Sequence, residues 1–181
     1  MSDEIIIRNC SPTLAGLKTG NIFCCKIESK ESLMRDIRKL NKALTKKGLR
    51  VIPLKVNDDK AMVYVFRPGK LKKDLSQAEA TDLLSNHGYA CKNPEYCVVK
   101  LIDRINASDT FPHEIGFFLG YPPEDVLGFI ETKTPKCSGY WQVYGDEKKA
   151  KKTFAKYKKC TEVYMQQLIK GNTLERLTVA V

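Results

Sequence analysis

The sequence predicts an α+β fold: a mainly antiparallel sheet of five or six strands with helices packed largely on one face, in a single domain over residues 1–181. Three observations predict it. Short β-branched runs at 50–56 and 61–67 flank Asn57-Asp58-Asp59-Lys60, the pattern of a hairpin with a four-residue polar turn. Leu33, Ile37, Leu40 and Leu44 recur at steps of four, three and four, which is one face of a helix. Helical patterns over 76–131 stand together as a block between strand-like runs instead of alternating with them, which favours an antiparallel sheet with segregated helices.

The elements follow in order. The β-branched run 4–8 predicts a first strand, and 9–20, rich in turn formers, a structured loop. Residues 21–27 predict a second strand, on which the adjacent Cys24 and Cys25 point to opposite faces. The helix through Leu33 spans about 30–47 and Gly48 ends it. Pro53 lacks an N–H, which confines the first hairpin arm to a sheet edge or a bulge. Ser76-Gln77-Ala78-Glu79 matches a capping box and opens a helix that ends at Gly88. Asn93-Pro94-Glu95 opens another, with Val98, Leu101, Ile102 and Ile105 on its buried stripe. Phe111-Pro112-His113-Glu114 opens a short helix ending at Gly120, and 122–125 opens the next, carrying Val126, Phe129 and Ile130. Residues 140–144 alternate as a strand does. Residues 146–170 form a long helix with Ala150, Phe154, Tyr157, Tyr164 and Leu168 inward and Gly171 at its end, and 173–181 form a last strand.

Composition narrows the function. With 43% hydrophobic and 29% charged residues, the chain has the balance of a folded soluble domain. No apolar run approaches the ~20 residues that cross a bilayer. Two acids follow Met1-Ser2 where a secretory signal has bases, so a cytoplasmic protein without a membrane segment is expected. The seven cysteines are odd in number and predict reduced thiols, most of them buried as small hydrophobes. No C-x-x-C occurs and His113-Glu114 lacks the second histidine of H-E-x-x-H, so no metal site is assigned. The sequons at Asn9 and Asn106 stay unmodified in a cytoplasmic chain. Basic residues exceed acidic ones by 31 to 21, and 24 of the 31 are lysines. Lysine is a solvated point charge, whereas arginine supplies the fork that reads guanine, so loose attraction to polyanions fits better than sequence-specific DNA reading.

Scarce functional groups mark three places where chemistry can sit. In 10–20, Cys10, Ser11, Thr13 and Lys18 offer a thiol, hydroxyls and an amine beside small residues whose N–H groups can form an anion nest. Cys10 is the candidate nucleophile there, provided a cation or helix N-terminus lowers its pKa. In 111–125, His113 stands at a helix start, where the helix dipole favours a neutral imidazole, and Glu114 adjoins it. In 140–146 the only tryptophan, Trp141, lies between Tyr140 and Tyr144, and aromatics interleaved on a strand can stack on a planar ligand. His87 is placed at a helix C-terminus on the surface.

The segments Cys10-Ser11-Pro12-Thr13-Leu14-Ala15-Gly16-Leu17-Lys18, Phe111-Pro112-His113-Glu114-Ile115-Gly116 through Leu119-Gly120-Tyr121-Pro122 and Asp125-Val126, Tyr140-Trp141 to Tyr144-Gly145-Asp146, and Leu174-Glu175-Arg176-Leu177-Thr178 resemble an uncharacterised bacterial family, mostly from anaerobic Gram-positive species, known only as a domain of unknown function. The resemblance covers nearly the whole chain. It implies a cytoplasmic bacterial protein and supplies no activity. Where that family carries two or three cysteines shortly before the tryptophan, this chain has only Cys137.

Together these observations predict a small polar or anionic ligand bound between the 10–20 loop and the helix start at 112–114. Cys10, His113 and Glu114 are its catalytic candidates, and Ser11, Thr13, Lys18, Trp141 and Tyr144 its ligand contacts. No cofactor is assigned. Two alternatives stand beside this. The helix 146–170 carries Lys148, Lys149, Lys152, Lys156 and Lys159 and suits a nucleic acid or an acidic partner. The thiols suit a redox accessory role, although their spacing defines no iron–sulfur site.

Overall fold

The computed structural model describes residues 1–89, 93–107 and 110–180. Cys91, the end of the second sequon at Ser108 and the end of the predicted last strand at Val181 lie outside these residues. In chain order the elements are α1 (Asp3–Leu14), β1 (Gly20–Lys26), α2 (Lys30–Leu44) with a 3₁₀ turn (Thr45–Lys47), β2 (Arg50–Val56), β3 (Lys60–Phe66), α3 (Pro68–Leu75), α4 (Ala78–Asn86), α5 (Pro94–Ala107), α6 (Ile115–Phe118), α7 (Pro123–Ile130), β4 (Cys137–Ser138), β5 (Gln142–Val143), α8 (Glu147–Ile169) and α9 (Leu174–Leu177). Among the described residues no helix is long and apolar enough to cross a membrane. The chain divides into two compact units, Met1–Gly69 with Tyr157–Val181, and Lys70–Lys156.

The α+β class holds, but among the described residues the sheets are smaller than the five or six strands expected: one of three antiparallel strands and one of two. In the first unit the order is β1-β3-β2. The hairpin forms where predicted, with β2 on an edge and its register shifting between Pro53 and Lys55. Pro53 donates nothing to the ladder, so the edge and the bulge are where it can stand. β3 is central, and Val63, Tyr64 and Val65 on it are fully buried. On β1, Cys24 is exposed and Cys25 buried, as alternation requires.

The segment 3–14 corrects the prediction of a strand followed by a loop. It is α1, capped by Ser2, whose Oγ accepts from Ile5 N at 3.4 Å. Ile6, Ile7, Cys10 and Leu14 repeat at helical spacing and are all fully buried. Pro12 stands inside the last turn of the helix, where it takes away the N–H that would bond Arg8 O. The segment 174–177 corrects the predicted last strand. It is α9, capped by Thr173, and Leu174 joins the core formed by α1, α2 and the sheet.

A buried cation closes this unit. Arg67 is 2% exposed. It donates Nε to Thr13 O (2.7 Å), Nη1 to Lys47 O (3.1 Å), and Nη2 to Leu14 O and Val179 O (2.7 Å each). The guanidinium thus satisfies carbonyls at the end of α1, which no intrahelical N–H can reach. It also ties the chain end after α9 to them.

The second unit differs from expectation in detail. The capping box at 76–79 does not form: Ser76 Oγ donates to Lys72 O at 2.6 Å, the end of an unpredicted helix α3, and Gln77 is the N-cap of α4 without a side-chain bond. The helix expected to open at 111 begins later. His113 and Glu114 precede the four-residue α6, and Gly120 follows it with φ +72°. The predicted strand 140–144 shrinks to β5, paired with β4 through Cys137↔Val143 and Ser138↔Gln142. Gly139 makes that turn, because a Cβ there would sit 2.2 Å from Phe154 Cε2.

Arg67→Met removes four hydrogen bonds from a charged donor, each contributing about 1.5–3 kcal/mol, although Thr13 O and Leu14 O keep a backbone donor in the N–H groups of Gly16 and Val179. Urea unfolding is therefore expected to show a loss of at least about 3 kcal/mol, and a loss below 1 kcal/mol contradicts the role assigned to this residue.

Candidate functional site

The residues named from the sequence fall into the two units. Cys10, Ser11, Thr13 and Lys18 belong to the first, and His113, Glu114, Trp141 and Tyr144 to the second.

In the first unit the 10–18 segment offers no open loop. Cys10 lies inside α1, fully buried among Ile6, Ile7 and Leu14. Burial pushes its thiol up, and the charge of Lys18 opposes this only in part. That is the reverse of the depressed pKa a nucleophilic thiolate needs. Ser11 Oγ donates back to Ile7 O (2.5 Å), and Thr13 Oγ1 donates to Asn21 Oδ1 (2.7 Å). Lys18 is 4% exposed, and desolvation lowers its ammonium to about 8.

In the second unit His113 and Trp141 come together. A cavity of about 370 Å³ is lined by Phe111, Ile115, Tyr121, Val126, Phe129 and Trp141, with His113, Gly116, Asp125 and Gln142 completing it. Its walls are nearly all apolar. Tyr121 and Trp141 stack at 4.9 Å with an interplanar angle of 28°, while the His113 ring meets Phe129 edge-on at 5.0 Å. Tyr121 donates its hydroxyl to Tyr140 O at 3.1 Å, and burial pushes that hydroxyl up to about 12, so it stays protonated.

A second cavity, of about 420 Å³, also has Phe111 and His113 in its lining and adds His87, Arg104, Thr110 and Glu114. Glu114 is buried, and its Oε1 accepts from Tyr89 OH at 2.9 Å. Arg104 Nε lies 2.7 Å from the same oxygen as an ion pair, but its N–H is not aligned on it and has no other acceptor among the described residues. Burial, and then the Glu114 charge, hold the Tyr89 hydroxyl in its protonated, donating form. Glu114 is thus a paired acceptor in the lining of this cavity, and the exposed His113 stands in the linings of both.

The wall that carries Trp141 is held by a residue that sequence reasoning places at a helix start and in a family-like segment, but not in the site. Asp125, 3% exposed in the first turn of α7, accepts Trp141 Nε1 on Oδ2 (2.7 Å) and the N–H groups of Tyr144 (2.6 Å) and Gly145 (2.7 Å) on Oδ1. Tyr144 serves this frame and does not line the cavity. Its ring lies over Gly128, where a Cβ would be 2.4 Å from Tyr144 Cγ. Asp125, Phe111, Tyr121, Phe129 and Arg104 are the site residues the sequence reading missed. The signal present was the density of aromatics over 111–129. An acid three residues into a helix gives no sign that it is buried.

Lys148, Lys149, Lys152, Lys156 and Lys159 are exposed on α8, which runs over nearly the span predicted. Among the described residues no group of three or more His, Cys, Asp or Glu is placed to hold a metal ion.

Fold and geometry therefore define an α+β protein with an aromatic cavity beside a buried carboxylate paired with a half-buried guanidinium. Residues 6–178 match the family model described as protein of unknown function (DUF3793), and the chain belongs to that family. No curated protein and no solved structure matches it.

Two outcomes follow. Asp125→Ala removes three acceptor contacts at once. It is expected to shift the emission of the single tryptophan to the red and to cost about 3 kcal/mol in unfolding followed by that signal. Asp125→Asn keeps an acceptor oxygen for two backbone N–H groups and should lie between; an unchanged emission in both variants contradicts the clamp. The second outcome concerns Lys18. Its folded pKa lies below the ordinary 10.5, so the unfolded chain binds this proton more readily between about 8 and 10.5, and stability contributed by this group rises with pH across that window. Lys18→Met removes the cost of the buried charge. Its advantage over the parent chain is expected to be largest below pH 8 and to narrow by about 2 kcal/mol between pH 7 and 9.5. Parallel stability curves for the two proteins contradict the burial of a charged amine.

Proposed function

We propose that this is a cytoplasmic small-molecule-binding protein whose ligand has a flat apolar body and a polar or anionic head. The body seats between Phe111, Phe129 and the Tyr121–Trp141 stack, and the head lies beside His113 towards Arg104. The observation that carries this reading is the pair of cavities in whose linings Phe111 and His113 both stand, one nearly all apolar and the other holding a guanidinium. Aromatic faces bind flat ligands through area and stacking, and a few polar groups at one end fix their orientation. Arg104 supports an anionic head because its partly exposed side chain stands in the lining of the second cavity. The reading is one of binding. Glu114 Oε1 already accepts from Tyr89 and faces Arg104, so it is assigned to holding the guanidinium in place. The buried thiols, Cys10 and Cys97 among them, are assigned to packing.

The probe is 1-naphthoate, a fused aromatic ring bearing a carboxylate. Titration is expected to change Trp141 fluorescence saturably. Phe129→Ala and His113→Ala remove exposed side chains without opening the core, and each is expected to weaken the probe about tenfold, or ~1.4 kcal/mol. An unsaturable response, or one that both substitutions leave unchanged, overturns the assignment.

A further inference from the structure

We infer that the outward face of α8 is a separate surface that binds the phosphate backbone of nucleic acids without reading base sequence. At 100° per residue, Lys148, Lys149, Lys152, Lys156 and Lys159 fall within a sector of about 100° on the helix, over roughly 17 Å of its axis. All five are exposed. Among the described residues none of them has a carboxylate within ion-pair distance, whereas their neighbour Lys151 pairs with Glu147 at 2.6 Å. The opposite side of the helix is occupied by the buried Ala150 and Tyr157, which fixes which face points outward.

The chemistry of this face selects the partner. From 148 to 159 the helix carries no acid and no Arg, Asn or Gln, so it presents charge without the forked donors that discriminate base edges. The five-lysine sector also carries no large apolar side chain. A packed protein interface is built around aromatic or aliphatic anchors and is depleted in lysine, so an acidic protein partner is the poorer fit. Duplex DNA carries about one charge per 1.7 Å of axis, and lysines that neutralise phosphates gain affinity by releasing counterions. This inference does not depend on the cavity reading.

The test uses the full chain and fluorescence anisotropy with two unrelated 20-base-pair duplexes at 50 and 150 mM KCl. Both duplexes are expected to bind equally, with a logarithmic salt slope of about −4 to −5, which is roughly a hundredfold loss over that interval. The variant K148Q/K152Q/K156Q/K159Q is expected to bring the slope to about −1 and to weaken binding more than tenfold at 50 mM. Glutamine keeps these exposed positions helical, and circular dichroism verifies it. The variant K30Q/K39Q/K42Q/K60Q removes the same charge elsewhere and is expected to change affinity less than threefold. Absence of binding at 50 mM, a strong preference for one duplex, equal weakening by the two variants, or displacement of the duplex by an equal charge concentration of poly-glutamate overturns the inference.

Discussion

A carboxylate survives in a protein interior only when donors replace the water it has lost. Asp125 meets three: one indole N–H and two consecutive backbone N–H groups. The two backbone bonds fix the path of the chain after β5, and the indole bond fixes the plane of Trp141. The cavity wall inherits its shape from that constraint. Glycines take up the close approaches around it: Gly128 passes under the Tyr144 ring and Gly145 lies against Glu124. A methyl group at either position would push the ring or the loop away from the carboxylate. The aromatic stack of Tyr121 on Trp141 is thus a consequence of polar geometry as much as of apolar contact.

The first unit solves the same problem with the opposite charge. Arg67 is buried with its guanidinium donating to carbonyl oxygens, and by serving the last carbonyls of α1 it joins that helix to the segment after α9. Lys47 repeats the arrangement nearer the surface, donating to Glu175 O and Thr178 O. The 10–18 segment is therefore committed to holding the unit together. Its thiol and hydroxyls are inside a helix, and its amine is desolvated. Residue types that suggest chemistry in a loop are here consumed by packing, which is the more frequent fate of a lone cysteine or threonine.

Long periodic patterns were legible from sequence. The α2 stripe, the β2–β3 hairpin with its edge proline, and α8 up to Gly171 are set by local spacing and turn chemistry that tertiary contacts did not override. The misread elements were short or ambiguous. Three consecutive isoleucines at 5–7 carry β propensity, yet Ile6, Ile7, Cys10 and Leu14 also carry the helical period, and packing against the sheet chose the helix. Leu174 and Leu177, three residues apart, share a face only in a helix, and Thr173 caps that turn. Of the site, His113 and Trp141 were legible because they are scarce. Asp125 was not, because a helix-start acid exposed to water and one buried beneath an indole look alike in sequence.

The cavity wall stands on the Asp125–Trp141 contact, and the indole N–H itself reports it. With a single tryptophan in the chain, a ¹⁵N-labelled sample gives one indole resonance. Hydrogen exchange of that resonance at neutral pH is the most direct measurement. A charge-assisted bond in a half-buried wall predicts exchange slowed at least about a hundredfold relative to free indole, reflecting an opening free energy of ~3 kcal/mol or more. Exchange at the rate of an unprotected indole would mean that the carboxylate does not hold the ring, and that the cavity wall described here is not a fixed feature of the fold.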